Sequence, residues 1–135
     1  MKKFYFTVLF LLFGLIGSVE AQTYKFYSTD FAIKYKTDSG YWSDWSEWKS
    51  SHCLVTISLD RDVINIYSPS PQEFDVYDNR GVSEDRSGGS TLELACVDQD
   101  GLRCSIRLRV QDDNTPQLYV DYNDVMYVYC LETRN

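Results

Sequence analysis

Apolar and polar residues alternate along most of the chain after residue 30. Between Cys53 and Leu59, for example, every second side chain belongs to an apolar set, with Thr56 and Ser58 between them. Successive side chains of a β-strand point to opposite faces, so this pattern predicts strands with one buried face. Comparable runs cover 31–35, 63–67, 73–77, 92–96, 102–110, 118–122 and 125–131. No window of similar length in 22–135 has apolar residues at helical spacing, so the sequence predicts an all-β domain.

Short polar turns separate the predicted strands, which favours pairing between strands that are neighbours in sequence. We therefore expect an antiparallel meander of eight or nine strands. In a chain of this length the meander is expected to close into a small barrel or half-barrel, because closure removes unpaired strand edges. A two-sheet sandwich fits the same pattern and is the alternative.

Residues 1–21 have the pattern of a secretory signal peptide. Lys2 and Lys3 precede an almost wholly apolar run over 4–16, and the small residues Val19 and Ala21 stand at the cleavage-site positions. The apolar run is too short to cross a bilayer. We expect cleavage before Gln22, a single domain over 22–135, and export to the periplasm or an extracellular site.

The charge of the chain excludes two classes of partner. The formal net charge is −7, and removal of residues 1–21 takes away a net charge of +1, which leaves about −8. An acidic surface repels nucleic acid and anionic lipid. No second apolar stretch approaches the ~18 residues of a membrane span. We expect no nucleic-acid partner and no membrane anchor in the mature chain.

The clearest turn spans 98–101 (Asp-Gln-Asp-Gly). Gly101 tolerates the left-handed backbone conformation that the last position of a three-residue hairpin loop requires. A loop over 99–101 places Cys96 directly opposite Cys104 on the apolar face. The turn therefore fixes the register of two neighbouring strands.

The four cysteines are Cys53, Cys96, Cys104 and Cys130, and none belongs to a Cys-x-x-Cys pair. In an oxidising compartment an even number predicts two disulfides, which we expect to be Cys96–Cys104 and a long-range Cys53–Cys130 bridge. One bridge with two buried thiols is the alternative. The face of Cys130 stays open, because the turn at 123–124 allows either face of 125–131 to be inward.

The most distinctive segment of the mature chain is 41–49, Tyr-Trp-Ser-Asp-Trp-Ser-Glu-Trp-Lys. Its residues 42–46 match the Trp-Ser-x-Trp-Ser box of cytokine-receptor fibronectin type III domains, and its three Trp residues resemble the tryptophan ladder of thrombospondin type 1 repeats. Both resemblances imply cations interleaved with Trp rings, which Arg103, Arg107 and Arg109 on one strand face could supply. The box lies near the start of the domain and the cysteine framework of the repeat is absent, so we assign the chain to neither family.

Trp42, Trp45 and Trp48 are the first candidates for a contact surface. On a regular strand Trp42 and Trp48 share one face and Trp45 points the other way, so at least one of them reaches the surface. Exposed Trp stacks on sugar rings or contacts a protein partner. The alternative is a strand, regular or bulged, whose Trp side chains cover the core.

The C-terminal runs 118–122 and 125–129 are apolar or aromatic on both faces. One face belongs to the core, and the other is either covered within the domain or presents a stripe of Tyr side chains. Tyr119, Tyr127 and Tyr129 are therefore further candidates for contact with a ligand or partner.

Patterns for catalysis and for metal binding are poorly represented. His52 is the one His of the chain and neighbours Cys53, but adjacent strand residues point to opposite faces and cannot form a Cys–His pair. Gly-x-Ser-x-Gly and phosphate-binding glycine loops are absent from the sequence. The Asp-x-Asp-Gly run at 98–101 matches only the start of a calcium loop. We expect no enzyme activity, no metal and no cofactor.

As a whole the chain resembles small, exported, uncharacterised all-β proteins of Gram-negative bacteria, a resemblance that implies no particular activity. We interpret it as a non-catalytic binding or interaction module whose partner is a protein, a glycan or a small apolar ligand. One alternative is a lipocalin-like barrel that carries an apolar ligand, although the early Gly-x-Trp of lipocalins is missing. A weaker alternative is a secreted protease inhibitor that acts through the polar loop 83–90.

Overall fold

The computed structural model describes residues 23–133, which form nine β-strands. The strands are β1 (Thr23–Tyr35), β2 (Lys49–Ser50), β3 (Leu54–Ser58), β4 (Val63–Tyr67), β5 (Gln72–Glu84), β6 (Ser90–Asp98), β7 (Arg103–Val110), β8 (Pro116–Asp121) and β9 (Val125–Glu132). Residues 23–133 contain no helix of the length and apolarity that crossing a membrane demands. The expected signal peptide and its cleavage site lie outside the described residues.

Eight of the strands close into an antiparallel barrel. From β3 to β9 each strand pairs with the next along the chain, while β1 pairs with β3 on one side and with β9 on the other. The short strand β2 is an addition that pairs only with β1. The expected meander and small barrel are confirmed.

Closure depends on the length of β1, whose 13 residues serve two neighbours. Residues Thr23 to Tyr27 pair with β3, and the pairing with β9 runs from Tyr27 to Tyr35. A bulge at Thr29 within the β9 pairing adds one residue, so Ser28 and Phe31 both point inward. Because β3 begins opposite Tyr27, the second half of β1 has an open edge, and residues 42–50 lie along that edge.

Inward side chains from all eight barrel strands fill the interior. An eight-stranded barrel is just wide enough for its own side chains. The largest fully buried side chains are Phe26, Val55, Ile57, Ile64, Ile66, Phe74, Leu94, Ile106, Leu108, Leu118 and Val120. The apolar sets of the sequence pattern therefore supply most of the core, whereas Tyr35 and Leu102, at the ends of their runs, are exposed.

The two ends of the barrel differ in their turns. The turns β4–β5, β6–β7 and β8–β9 surround one end, which we call the mouth. The opposite end carries the β3–β4, β5–β6 and β7–β8 turns. There β5 continues to Glu84 and β6 begins at Ser90, so the β5–β6 loop has five residues rather than the eight of 83–90. Asp85 holds this loop, because its carboxylate accepts hydrogen bonds from Ser87 and Gly89 and pairs with Arg109 at 3.0 Å.

The expected disulfides are not formed: all four cysteines are free thiols. Cys96 and Cys104 do lie directly opposite each other, as the turn predicted. The amide of Asp98 donates to the carbonyl of Leu102 at 2.8 Å, and hydrogen-bonded pairs alternate along the ladder. Cys96 and Cys104 therefore occupy a hydrogen-bonded pair, which suits a disulfide less well than a non-hydrogen-bonded pair.

The expected Cys53–Cys130 bridge was wrong because the two side chains lie on opposite faces of the barrel wall. Cys53 is buried within the core cluster, where its thiol lies 3.1 Å from the hydroxyl of Ser28. Tyr129 and Leu131 also belong to that cluster. Cys130 lies between them in β9 and points to the outer face, beside Gln117 of β8. The barrel wall separates the two thiols.

Candidate functional site

Residues 42–48 run along the open edge of β1 on the outside of the barrel, and two serines attach them. The amide of Ser43 donates to the carbonyl of Tyr35 at 2.7 Å, and its hydroxyl accepts from the amide of Tyr35 at 2.9 Å. Ser46 repeats both bonds with Ile33, at 2.8 and 3.0 Å. The serines of the Trp-Ser-x-Trp-Ser box thus substitute for a strand partner at this edge.

The attachment imposes a three-residue repeat on the segment. Ser43 and Ser46 are half-buried against β1, while the residues before and after each of them are exposed. Three residues per turn is the repeat of a polyproline II helix rather than a strand. The strand parity expected for the three Trp residues was therefore wrong: Trp42 and Trp45 lie on the same side, where both contact Lys34.

Lys34 of β1 and Lys36, which follows the end of β1, supply the cations of this surface. The ammonium of Lys34 lies 5.5 Å from the ring centroid of Trp42 and 4.6 Å from that of Trp45. The ammonium of Lys36 lies 5.8 Å from the ring centroid of Trp42. Each contact of this kind contributes about 0.5–1 kcal/mol at an exposed site. We call the side chains of Trp42, Trp45, Trp48, Lys34 and Lys36, together with Tyr119, the Trp face.

The expected pairing of arginines with Trp rings was wrong. Arg103 lies over Tyr77 at 5.6 Å and Arg107 over Tyr119 at 4.3 Å. The sequence did contain the signal for the lysines, since Lys34 and Lys36 alternate with Ile33 and Tyr35 and therefore fall on the face opposite to them. That signal was missed because the partner strand of the Trp segment could not be identified from its spacing.

Tyr119 joins the Trp face to the neighbouring strands. Its ring meets that of Trp45 edge-on, with centroids 6.3 Å apart. The guanidinium above it, from Arg107, makes a two-pronged ion pair with the carboxylate of Asp121. Such pairs fix the orientation of both groups. Tyr119 therefore contacts both Trp45 and a positioned Arg107.

Part of the Trp face covers apolar residues on the outside of the barrel wall. Ala32 of β1 and Val128 of β9 are directly opposed in register, and both are buried although neither belongs to the core cluster. Val128 is also paired with Tyr119, which contacts Trp45. We infer that the Trp face shields this pair from water. The outer face of β9 is thus covered within the domain at this point.

The three Trp side chains still remain accessible to a partner. Trp42 is 37% exposed, Trp45 38% and Trp48 53%. The sequence contains no other Trp. Aromatic side chains of this size normally bury about 150–250 Å² each. Leaving them exposed to water therefore forgoes a large favourable contribution to the free energy of folding.

The remaining two candidate residues lie inside the barrel wall. Tyr129 is buried in the core cluster, and burial raises its pKa to about 12. Tyr127 is partly buried and packs against the core cluster near the mouth, edge-on to Tyr122 at 6.2 Å. Burial also raises the pKa of the Tyr127 hydroxyl. These two residues are therefore separated from the Trp face by the sheet itself.

The mouth contains a depression of about 340 Å³ to which Tyr127 contributes. Phe74, Leu102 and Val125 supply apolar lining, while Asp98 and other acidic and amide side chains form part of its rim. The carboxylate of Asp98 is occupied by hydrogen bonds within its own turn. Burial opposes its ionisation, but hydrogen bonds from the Leu102 amide, the Tyr122 hydroxyl and the Asp100 amide hold its pKa below the usual range.

Within residues 23–133 no group of three or more His, Cys, Asp or Glu side chains is arranged to hold a metal ion. Burial raises the pKa of Cys96 to about 12 and that of Cys104 to about 11, which keeps both thiols protonated near neutral pH.

Comparisons of the chain with protein-family models, curated proteins and solved structures give no match.

Proposed function

We propose that this protein is an exported, non-catalytic binding module that contacts its partner through the Trp face. The observation that carries the proposal is the exposure of all three Trp side chains on one segment outside a well-packed barrel. Contiguous exposed aromatic surface marks sites of interaction, and Trp is among the residues most enriched at binding hot spots.

The way the segment is held supports the same function. Ser43 and Ser46 fix the backbone, and Lys34 lies between the rings of Trp42 and Trp45. A surface whose side chains are already ordered loses less conformational entropy when a partner binds. The Trp face is thus built as a preorganised contact surface.

The test is a binding panel read by Trp fluorescence, which reports only on the Trp face because the chain has no other Trp. The panel contains neutral polysaccharides, basic peptides, acidic peptides and a fatty acid. We expect one class to bind and the substitution Trp45→Ala to weaken that binding at least tenfold. Tyr67→Ala is the matched control, since Tyr67 is 51% exposed on β4 and takes no part in the Trp face. Binding that is equally strong in wild type and Trp45→Ala contradicts the proposal.

The second candidate function is the carriage of a small apolar ligand at the mouth. The depression beside Tyr127, Phe74 and Leu102 favours it, because ligand sites combine apolar walls with a few polar groups. Native mass spectrometry of protein purified from its own host distinguishes the two functions. A bound mass that is lost on denaturation, and lost also in Leu102→Asp, supports carriage. A native mass equal to that of the chain alone favours binding through the Trp face.

A further inference from the structure

The depression at the mouth combines apolar walls with charges of one sign. Phe74, which is fully buried, and Leu102, which is 59% exposed, supply apolar surface. Its volume of about 340 Å³ lies within the range of sites for small organic ligands. The charged residues that line it are all aspartates from two neighbouring turns: Asp98, Asp100 and Asp124.

The protein itself does not neutralise these three carboxylates. Among residues 23–133, no Lys or Arg forms an ion pair with any of them. The backbone amide of Lys36 donates to the carbonyl of Asp124, but the ammonium of Lys36 lies over the ring of Trp42. Arg103, which begins the strand after this turn, lies over the ring of Tyr77. The cations next to the mouth along the chain are therefore directed to rings outside the depression.

The negative charge also acts on the aromatic wall of the depression. Burial is the main reason that the pKa of Tyr127 is raised, and the carboxylates of Asp124 and Asp98 raise it further. A second depression adjoins the first and adds Glu73 without any basic residue. Charges of one sign in a concave site attract ligands of the opposite sign and repel those of the same sign.

Hydrogen bonds connect the turns around the depression to each other. The hydroxyl of Tyr122 donates to the carboxylate of Asp98 at 2.8 Å, which joins the β8–β9 turn to the β6–β7 turn. The amide of Glu73 donates to the side-chain oxygen of Gln99 at 2.9 Å, which joins the start of β5 to the β6–β7 turn. A site that is ordered in advance loses less conformational entropy when a ligand binds.

We propose that the mouth binds a small organic cation, an ammonium compound whose apolar body lies in the depression and whose charge lies among the three aspartates. Ammonium groups donate charge-assisted hydrogen bonds to carboxylates, and the faces of Tyr rings attract cations. Neutral and anionic molecules of the same shape lack both interactions. The inference rests on the second candidate function, for which it names the class of ligand, and it is independent of the Trp face.

The probes are octylamine, octanoate and 1-octanol, which have the same number of carbon atoms and differ in charge at neutral pH. Each is titrated into the purified protein and followed by calorimetry. We expect octylamine to bind at least tenfold more tightly than 1-octanol, and octanoate to bind more weakly than either. Rising salt should weaken the binding of octylamine and not that of 1-octanol, because salt screens exposed charges.

Protein variants separate a local site from attraction by net charge. Asp124→Asn removes one negative charge from the mouth, keeps the shape of the side chain, and is expected to weaken octylamine binding about fivefold. Asp112→Asn is the matched control, because Asp112 is equally an exposed turn residue but lies at the opposite end of the barrel. Asp112→Asn and Trp45→Ala are both expected to bind octylamine as wild type does.

Three results overturn the inference. One is no binding of octylamine, and another is equally tight binding of 1-octanol or octanoate, which means that the mouth does not select a cation. The third is the same affinity for octylamine in Asp124→Asn and Asp112→Asn, which means that net charge alone attracts it.

Failure of this inference and failure of the proposed function give different results. If Trp45→Ala weakens the binding of octylamine, the amine lies on the Trp face, so this inference is wrong and the proposed function stands. If octylamine binds as expected while no ligand of the binding panel is affected by Trp45→Ala, the inference stands and the proposed function is wrong.

Discussion

The substitution Ser46→Ala tests how the Trp face is attached to the barrel. The Ser46 hydroxyl accepts a hydrogen bond from the amide of Ile33 at 3.0 Å and donates one to the carbonyl of Glu47 at 3.2 Å. Its removal leaves the Ile33 amide without an acceptor at a partly buried position. The amide–carbonyl bond between Ser46 and Ile33 stays in place, so the variant isolates the contribution of the hydroxyl.

The expected loss of stability follows from the exposure of each serine site. An unsatisfied, partly buried amide costs about 1–2 kcal/mol, which is the expected decrease in the free energy of unfolding for Ser46→Ala. The equivalent bond of Ser43 lies beside exposed Tyr35, where water can replace the hydroxyl. Ser43→Ala should therefore cost only about 0.5 kcal/mol. Ser43 and Ser46 have the same place in the sequence motif, but they thus contribute different amounts to the free energy of unfolding.

Urea unfolding followed by circular dichroism measures the loss, and amide hydrogen exchange locates it. We expect the Ile33 amide to exchange faster in Ser46→Ala, and the core amides of β6 and β7 to keep their order of protection. Ser46→Thr retains a hydroxyl and should preserve most of the stability, while Ser50→Ala, at an exposed position of β2, should change nothing. Wild-type stability together with wild-type exchange at Ile33 would refute the attachment described here.

Other predictions concern the thiols, the ion pairs and the acid range. Because burial keeps Cys96 and Cys104 protonated, neither should react with Ellman's reagent at pH 8 until denaturant is added; rapid labelling of both in the native protein contradicts their placement. Arg107→Gln removes an ion pair and a cation–π contact and should cost about 2 kcal/mol in chemical denaturation, and a neutral effect contradicts it. Hydrogen bonds from Ser87 and Gly89 and the charge of Arg109 lower the pKa of Asp85 to about 2. Its folded pKa is below its unfolded value, so its stabilisation is present above about pH 4 and lost towards pH 2. The stability difference between wild type and Asp85→Asn should therefore narrow over that range, and a constant difference contradicts it.

The barrel could be predicted because its evidence is local. Alternation marks the strands, and the turn ending at Gly101, whose φ is 85°, sets the register that brings Cys96 opposite Cys104. The first half of β1 was missed, because the polar residues Ser28 and Thr29 interrupt the alternation at the bulge. That half determines closure, since it alone pairs with β3.

The Trp face could be predicted only in part, because its geometry depends on a partner strand that spacing does not reveal. The Trp residues were recognised from their type, but the common side of Trp42 and Trp45 follows from the bonds of Ser43 and Ser46 to β1. The face of Cys130 was undetermined for a similar reason. It depends on the parity of β9, which the turn at 123–124 does not fix and the pairing with β1 does.

The most direct test of the account is fluorine NMR of the protein labelled with 5-fluorotryptophan. The chain has three Trp residues and all lie on residues 42–48, so the spectrum should contain three signals, each from the Trp face. A ligand of the binding panel whose binding is established by calorimetry is then added. We predict that at least one of the three signals shifts in proportion to the bound fraction, and that single Trp→Phe substitutions assign it. Saturation with that ligand without any change in the three signals contradicts the claim that the Trp face is the contact surface.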